Sequence, residues 1–117
     1  MTMKKSRPVW QQDKQKRLLS ISGFVDLQVN GYKGIDFSSN QLTADAVAWV
    51  CRELAAAGTT AFLATLVTCP PDVYQRNLGI IARICARNEF RRHLLGIHLE
   101  GPFISPEKGF VGAHNAA

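Results

Sequence analysis

The sequence predicts an α/β fold in which three parallel strands alternate with two helices, in the order β-α-β-α-β. Three observations carry this. Strand-like stretches recur at residues 24–30, 59–67 and 94–100. The two intervals between them hold apolar residues at helical spacing. Those intervals are too long for hairpins, so right-handed crossovers between parallel strands are expected.

The first stretch, Phe24-Val25-Asp26-Leu27-Gln28-Val29-Asn30, alternates strictly. Val25, Leu27 and Val29 should point one way, and Asp26, Gln28 and Asn30 the other. Asp, Gln and Asn are poor strand formers, so three of them on one face read as a polar lining. Asn30-Gly31 is a turn signal. Residues 31–42 then read as a loop, with Gly31, Gly34 and the Ser38-Ser39-Asn40 cluster.

Thr43 is a suitable N-cap for the first helix, and Asp45 in its first turn complements the helix dipole. Val47, Val50, Cys51 and Leu54 form one apolar stripe, which Ala46 and Trp49 widen. Gly58 is the expected stop. Residues 59–67 are apolar on both faces, as in a strand buried within a parallel sheet. Pro70-Pro71 open the second helix, with Pro71 suited to its first turn. Its stripe is read as Tyr74, Leu78, Ile81 and Cys85, flanked by Ile80 and Ile84. Gly79 weakens this helix by roughly 1 kcal/mol relative to Ala. Arg87, Arg91, Arg92 and His93 lie at or just after its end, where they complement the helix dipole. In the third strand Leu95, Ile97 and Leu99 should oppose Gly96, His98 and Glu100. The tail from Ile104 to Ala117 reads as a loop.

Length and composition narrow the function classes. With 117 residues there is room for one domain. Hydrophobic and charged contents of 46% and 20% are ordinary for a soluble globular protein. The net charge of +5 is local. Lys4, Lys5, Arg7, Lys14, Lys16 and Arg17 face Asp13 alone in the leader, and the remainder is balanced. The chain therefore divides into a basic leader, residues 1–20, and a body, residues 21–117. A nucleic-acid partner is not expected, because the basic residues do not gather on a structured face. The leader lacks the apolar run of a secretory signal. Gln11, Gln12 and Asp13 break the basic face a mitochondrial presequence needs, so the leader reads as a solvated, disordered tail. No stretch is long and apolar enough to span a membrane. Cys51, Cys69 and Cys85 make no C-x-x-C pair and read as free thiols in a reducing cytoplasm.

Parallel strands run the same way, so Gln28 and Asn30 should share one sheet edge with His98 and Glu100. Glu100 is the strongest candidate. A carboxylate on an inward strand position is costly to bury unless paired or bound to a metal. It is read as a metal ligand, with a salt bridge to a basic side chain as the alternative. His98 is either a ligand or, more commonly for a strand histidine, a hydrogen-bonded core residue. Gln28 and Asn30 are poor metal ligands. They either orient a water or substrate hydroxyl, or simply pack. His114 is either a substrate contact or a surface histidine. No phosphate loop, serine elbow or H-E-x-x-H is present.

The segments Gly23-Phe24-Val25-Asp26-Leu27-Gln28-Val29-Asn30-Gly31, Gly58-Thr59-Thr60-Ala61-Phe62-Leu63-Ala64-Thr65 and Gly96-Ile97-His98-Leu99-Glu100-Gly101-Pro102-Phe103 resemble the N-acetylglucosamine-6-phosphate deacetylase family. That family lies in the amidohydrolase superfamily of (β/α)8 barrels. The resemblance runs over about residues 22–115 and implies that this chain matches the first three strands of such a barrel. It implies metal-assisted hydrolysis of the N-acetyl group of N-acetylglucosamine 6-phosphate, with one divalent ion, zinc or iron. Glu100 matches the family's metal-binding Glu. Gln28-Val29-Asn30 stands where many superfamily members have H-x-H, as in the single-metal form. Ala113, through its backbone, and His114 match the substrate-contacting loop, although about two extra residues precede them near Phe110-Val111.

The family's two metal-binding histidines and its aspartate acid/base come from later strands and have no match in this sequence. The small β domain that precedes the family's barrel has none either. The expectation is thus a partial barrel, inactive by itself. It would be either a vestigial, non-catalytic fragment or one part of a split enzyme completed by another chain. Unpaired sheet edges should favour self-association.

Overall fold

A computed structural model describes residues 21–114. The basic leader, and the expectation that it is disordered, lie outside the described residues. The elements run β1 (Phe24–Val29), β2 (Gly31–Tyr32), β3 (Ile35–Asp36), α1 (Ala44–Ala56), β4 (Thr59–Val67), α2 (Pro71–Cys85) and β5 (Leu94–Glu100). β1, β4 and β5 form a parallel sheet in the order β1-β4-β5. This is the α/β fold read from the sequence, with β4 in the middle.

Burial follows that order. In β4, Ala61, Phe62, Ala64, Thr65 and Leu66 are buried. Of these, Phe62, Ala64 and Leu66 pack with Val47, Val50, Cys51 and Leu54 of α1 and with Ile80, Ile81 and Ile84 of α2. The outer strands keep apolar side chains in the open. Phe24, Val25 and Leu27 on β1 are exposed, as are Leu95 and Leu99 on β5. Only Val29 of β1 is buried.

Several local expectations need correction. The alternation in β1 is interrupted, because its register against β4 shifts between Asp26 and Val29. The Asp26 carboxylate accepts from the Gln28 backbone N–H at 3.0 Å, which draws the chain out of regular pairing. The loop over residues 31–42 contains an antiparallel hairpin, β2–β3. Its turn residues Lys33 and Gly34 both have positive φ, 48° and 86°. That is the pattern of a type I′ turn, and Gly34 is its sequence signal.

The helix stripes also move. Thr43 caps α1 as expected, accepting from the Ala46 N–H at 3.1 Å. Trp49 lies on the exposed side, and Ala48 takes the buried place. In α2 the buried line is Val73, Asn77, Ile80, Ile81 and Ile84, while Tyr74, Leu78 and Cys85 flank it. The stripe read from the sequence does not include Asn77, which is polar. Its amide is nevertheless fully buried and donates to Phe37 O at 2.9 Å and Ser39 O at 2.8 Å. Its Oδ1 accepts from Arg76 at 3.0 Å. Asn77 thus ties the loop after β3 to α2, and Ser38 from that loop accepts from the Val67 N–H at 2.9 Å.

His93 departs from its helix-dipole reading. Its ring nitrogens lie 2.7 Å from Thr60 O and 2.7 Å from Cys51 O, so it links α1 to the start of β4.

Replacing Asn77 by Leu keeps the volume but leaves the buried Phe37 O without its side-chain donor, while Ser39 O retains only the Leu42 N–H. A stability loss of about 1–3 kcal/mol is expected, read from urea unfolding. The buried Cys51 thiol is pushed up to about 12 by desolvation. At a pH of about 8 its thiolate is roughly one part in ten thousand, and the thiolate is the reactive form. Iodoacetamide should therefore label the part-exposed Cys69 first and reach Cys51 only on unfolding, as read by peptide mass spectrometry.

Candidate metal and substrate site

The C-terminal ends of β1 and β5 flank the end of β4, and their polar side chains meet across it. The Gln28 amide donates to Glu100 Oε2 at 2.8 Å, and the Asn30 amide approaches the same oxygen at 3.3 Å. Val67 of β4 pairs with Glu100 in register and lies between. The other carboxylate oxygen, Oε1, faces His114 Nε2 at 3.4 Å. Together these residues line a hollow of about 280 Å³, with Ala113 at its rim.

The loop after β5 delivers His114. Gly101 has φ +106°, a conformation that side chains avoid, and a Cβ there would run into Thr68 Oγ1. This glycine lets the chain turn sharply where the strand ends. The segment then makes two turns, with Phe110 N–H donating to Glu107 O and His114 N–H to Val111 O. His114 comes back onto the strand ends with only 11% of its side chain exposed. Its Nδ1 sits 3.1 Å from Thr68 Oγ1.

Five of the six residues singled out in the sequence are thus brought together: Gln28, Asn30, Glu100, Ala113 and His114. His98 lies one step down the strand, where its Nδ1 meets the buried Thr65 hydroxyl at 3.3 Å. It does not line the hollow. Thr68 was missed. It follows the last residue of an apolar strand, and its use depends on a contact 46 residues away.

Among the described residues no three His, Cys, Asp or Glu side chains converge as metal ligands. Structural and catalytic zinc sites use three or four protein ligands. The donor set around Glu100 therefore supplies one carboxylate, already held by two amides and faced by an imidazole. It does not amount to a complete metal centre. A second hollow, of about 370 Å³, lies at the opposite end of the sheet beside Thr60 and Phe90. Its polar groups are already faced by partners: Arg52 pairs with Glu89 at 3.2 Å, and each His93 ring nitrogen faces a backbone carbonyl oxygen at 2.7 Å. It offers no converging free donors.

The Gly101 turn can be tested against Gly109, which has a similar φ of +96° but open space around it. Gly101→Ala should cost more stability than Gly109→Ala in urea unfolding. Backbone strain of about 1–3 kcal/mol is common to both, and the excess reports the crowding against Thr68.

No protein-family model matches the chain. Its curated relatives include the N-acetylglucosamine-6-phosphate deacetylase of Rattus norvegicus, 44% identical over 108 residues. That match takes in 92% of this chain and 25% of the relative. The Homo sapiens deacetylase is 46% identical over 98 residues, 81% of this chain and 23% of the relative. The crystal structure of the Pasteurella multocida deacetylase superposes with a TM-score of 0.70 at 26% identity, over 93% of this chain and 29% of that one. The Thermotoga maritima deacetylase gives 0.65 at 34% identity, over 80% and 24%. The chain therefore spans about a quarter of the length of these relatives. In sequence and in fold it is a homologue of N-acetylglucosamine-6-phosphate deacetylase over that segment.

Proposed function

We propose that this chain carries part of a deacetylase site for an N-acetylated amino-sugar phosphate, and that it does not complete that site alone. The observation that supports this best is the cradled carboxylate. Glu100 stands at a strand end, oriented by Gln28 and Asn30 and faced by His114. Active sites of barrel enzymes occupy that end of the sheet. In this reading Glu100 is one ligand of a divalent ion, zinc or iron. Ala113, through its backbone, and His114 contact the substrate. Gln28 and Asn30 hold the carboxylate in place. When bound, such an ion polarises a carbonyl and activates water. With one ligand in this chain, no hydrolytic step is assigned to it.

A second reading is a non-catalytic fragment or one part of a split enzyme. The exposed apolar residues of β1 and β5 favour it, because each strand is an outer strand of the sheet. Such edges pair with further strands, either from another copy of this chain or from a complementing chain. A cytoplasmic setting accords with three unpaired cysteines. No helix among the described residues is long and apolar enough to cross a membrane.

Calorimetric titration of the purified chain with Zn²⁺ should show weak binding that Glu100→Gln removes. Incubation with N-acetylglucosamine 6-phosphate and divalent metal should release no acetate. Turnover abolished by Glu100→Ala would overturn the view that the chain is incomplete. Sedimentation should show concentration-dependent association, and a sharp concentration-independent monomer would count against exposed pairing edges.

A further inference from the structure

We propose that Thr68 is the positioning residue of this site. Its hydroxyl donates to His114 Nδ1 and so holds the imidazole in the tautomer whose Nε2–H points at the Glu100 carboxylate. The hydrogen-bond inventory leads there. Glu100 Oε1 lies 3.4 Å from Nε2, longer than a hydrogen bond, but an acceptor-only carboxylate on that side favours the form with the proton on Nε2. In a neutral imidazole Nδ1 is then an acceptor, and Thr68 Oγ1 lies 3.1 Å from it. The neighbouring Tyr74 hydroxyl gives its proton to Val67 O at 2.9 Å and so does not donate to Nδ1, while its oxygen is a second acceptor beside the Thr68 hydroxyl. Thr68 is itself held close, at the end of β4 and directly against Gly101. One hydroxyl thus touches both the turn that ends β5 and the ring that the following loop delivers.

The consequence bears on ligand chemistry. An imidazole fixed in this form has one proton, on Nε2, which a ligand receives only in place of Glu100 Oε1, as when a bound ion takes up that carboxylate. The ligand group it meets must then be an acceptor, such as a phosphoryl, carbonyl or hydroxyl oxygen, and not an ammonium. This consequence rests on the reading of His114 as a substrate contact. The tautomer itself does not.

The test is ¹⁵N magic-angle-spinning NMR of the full chain labelled at histidine, which does not require a monomer. Spectra are taken about two pH units above the ordinary histidine value. His114 is assigned by its loss in His114→Gln. Wild type should show a protonated Nε2 and an unprotonated Nδ1. Thr68→Ser, which keeps the hydroxyl, should preserve that pattern. Thr68→Val should shift both nitrogens towards the average of a tautomer mixture, while the His93 and His98 signals stay in place as a check on folding. Three results would overturn the proposal: a protonated Nδ1 in wild type, an unchanged His114 in folded Thr68→Val, or an equal shift in Thr68→Ser. Should Thr68→Val fail to fold, the wild-type and Thr68→Ser spectra still decide. Loss of Zn²⁺ binding bears on Glu100 as a ligand and leaves this spectroscopic result standing, so the two readings fail separately.

Discussion

The parallel register around β4 is the constraint on which the rest depends. β1 and β5 do not pair through their backbones, and each takes its alignment from the strand between them. Two strand spacings put their axes roughly 9–10 Å apart. Only long side chains on the same face span that gap. Gln28 and Glu100 do so above Val67, closing at 2.8 Å. The shift in β1 between Asp26 and Val29 belongs to the same constraint, because it sets where Gln28 and Asn30 arrive beside β4. A Gln28–Glu100 bond is therefore a statement about sheet register as much as about a local site.

Polar groups hold the sheet to its helices at both ends, and they do so through backbone carbonyls. Asn77 clamps the loop after β3 at the end that carries Glu100. His93 does the equivalent at the opposite end, between α1 and β4. Burying an amide as completely as Asn77 is unfavourable unless its hydrogen bonds are made. Here they are made, and no buried side-chain polar atom among the described residues lacks a partner. The hollow at the His93 end is the roomier of the two, yet its charges and ring nitrogens are already occupied. At the smaller hollow a carboxylate and an imidazole converge at strand ends.

The outer strands show what these residues leave undone. Central β4 is buried, while Phe24, Val25, Leu27, Leu95 and Leu99 stay exposed. The same asymmetry appears in the site. Three side chains hold Glu100 from within the chain, but no set of ligands surrounds a metal beside it. Incomplete burial at the edges and an incomplete donor set at the strand ends accord with homology over about a quarter of the related enzymes.

The kinds of element and their order were legible in the sequence, because period, capping and turn residues act over a few positions. Thr43, Gly58, Pro71 and the apolar run of β4 each did what their local chemistry requires. The Lys33-Gly34 hairpin was equally local and was overlooked because its strands are two residues each. Glu100 was also legible, as a carboxylate ending an apolar strand. What surrounds it was not. Its amide partners are 72 and 70 residues away, Asn77 reaches back 40 residues, and Thr68 meets His114 across 46. Periodicity reports which face is apolar, but it is silent on which polar groups will meet. Those partnerships were decided only by tertiary structure, because a hydrogen bond needs two atoms within about 3 Å, and only the packed sheet brings them that close.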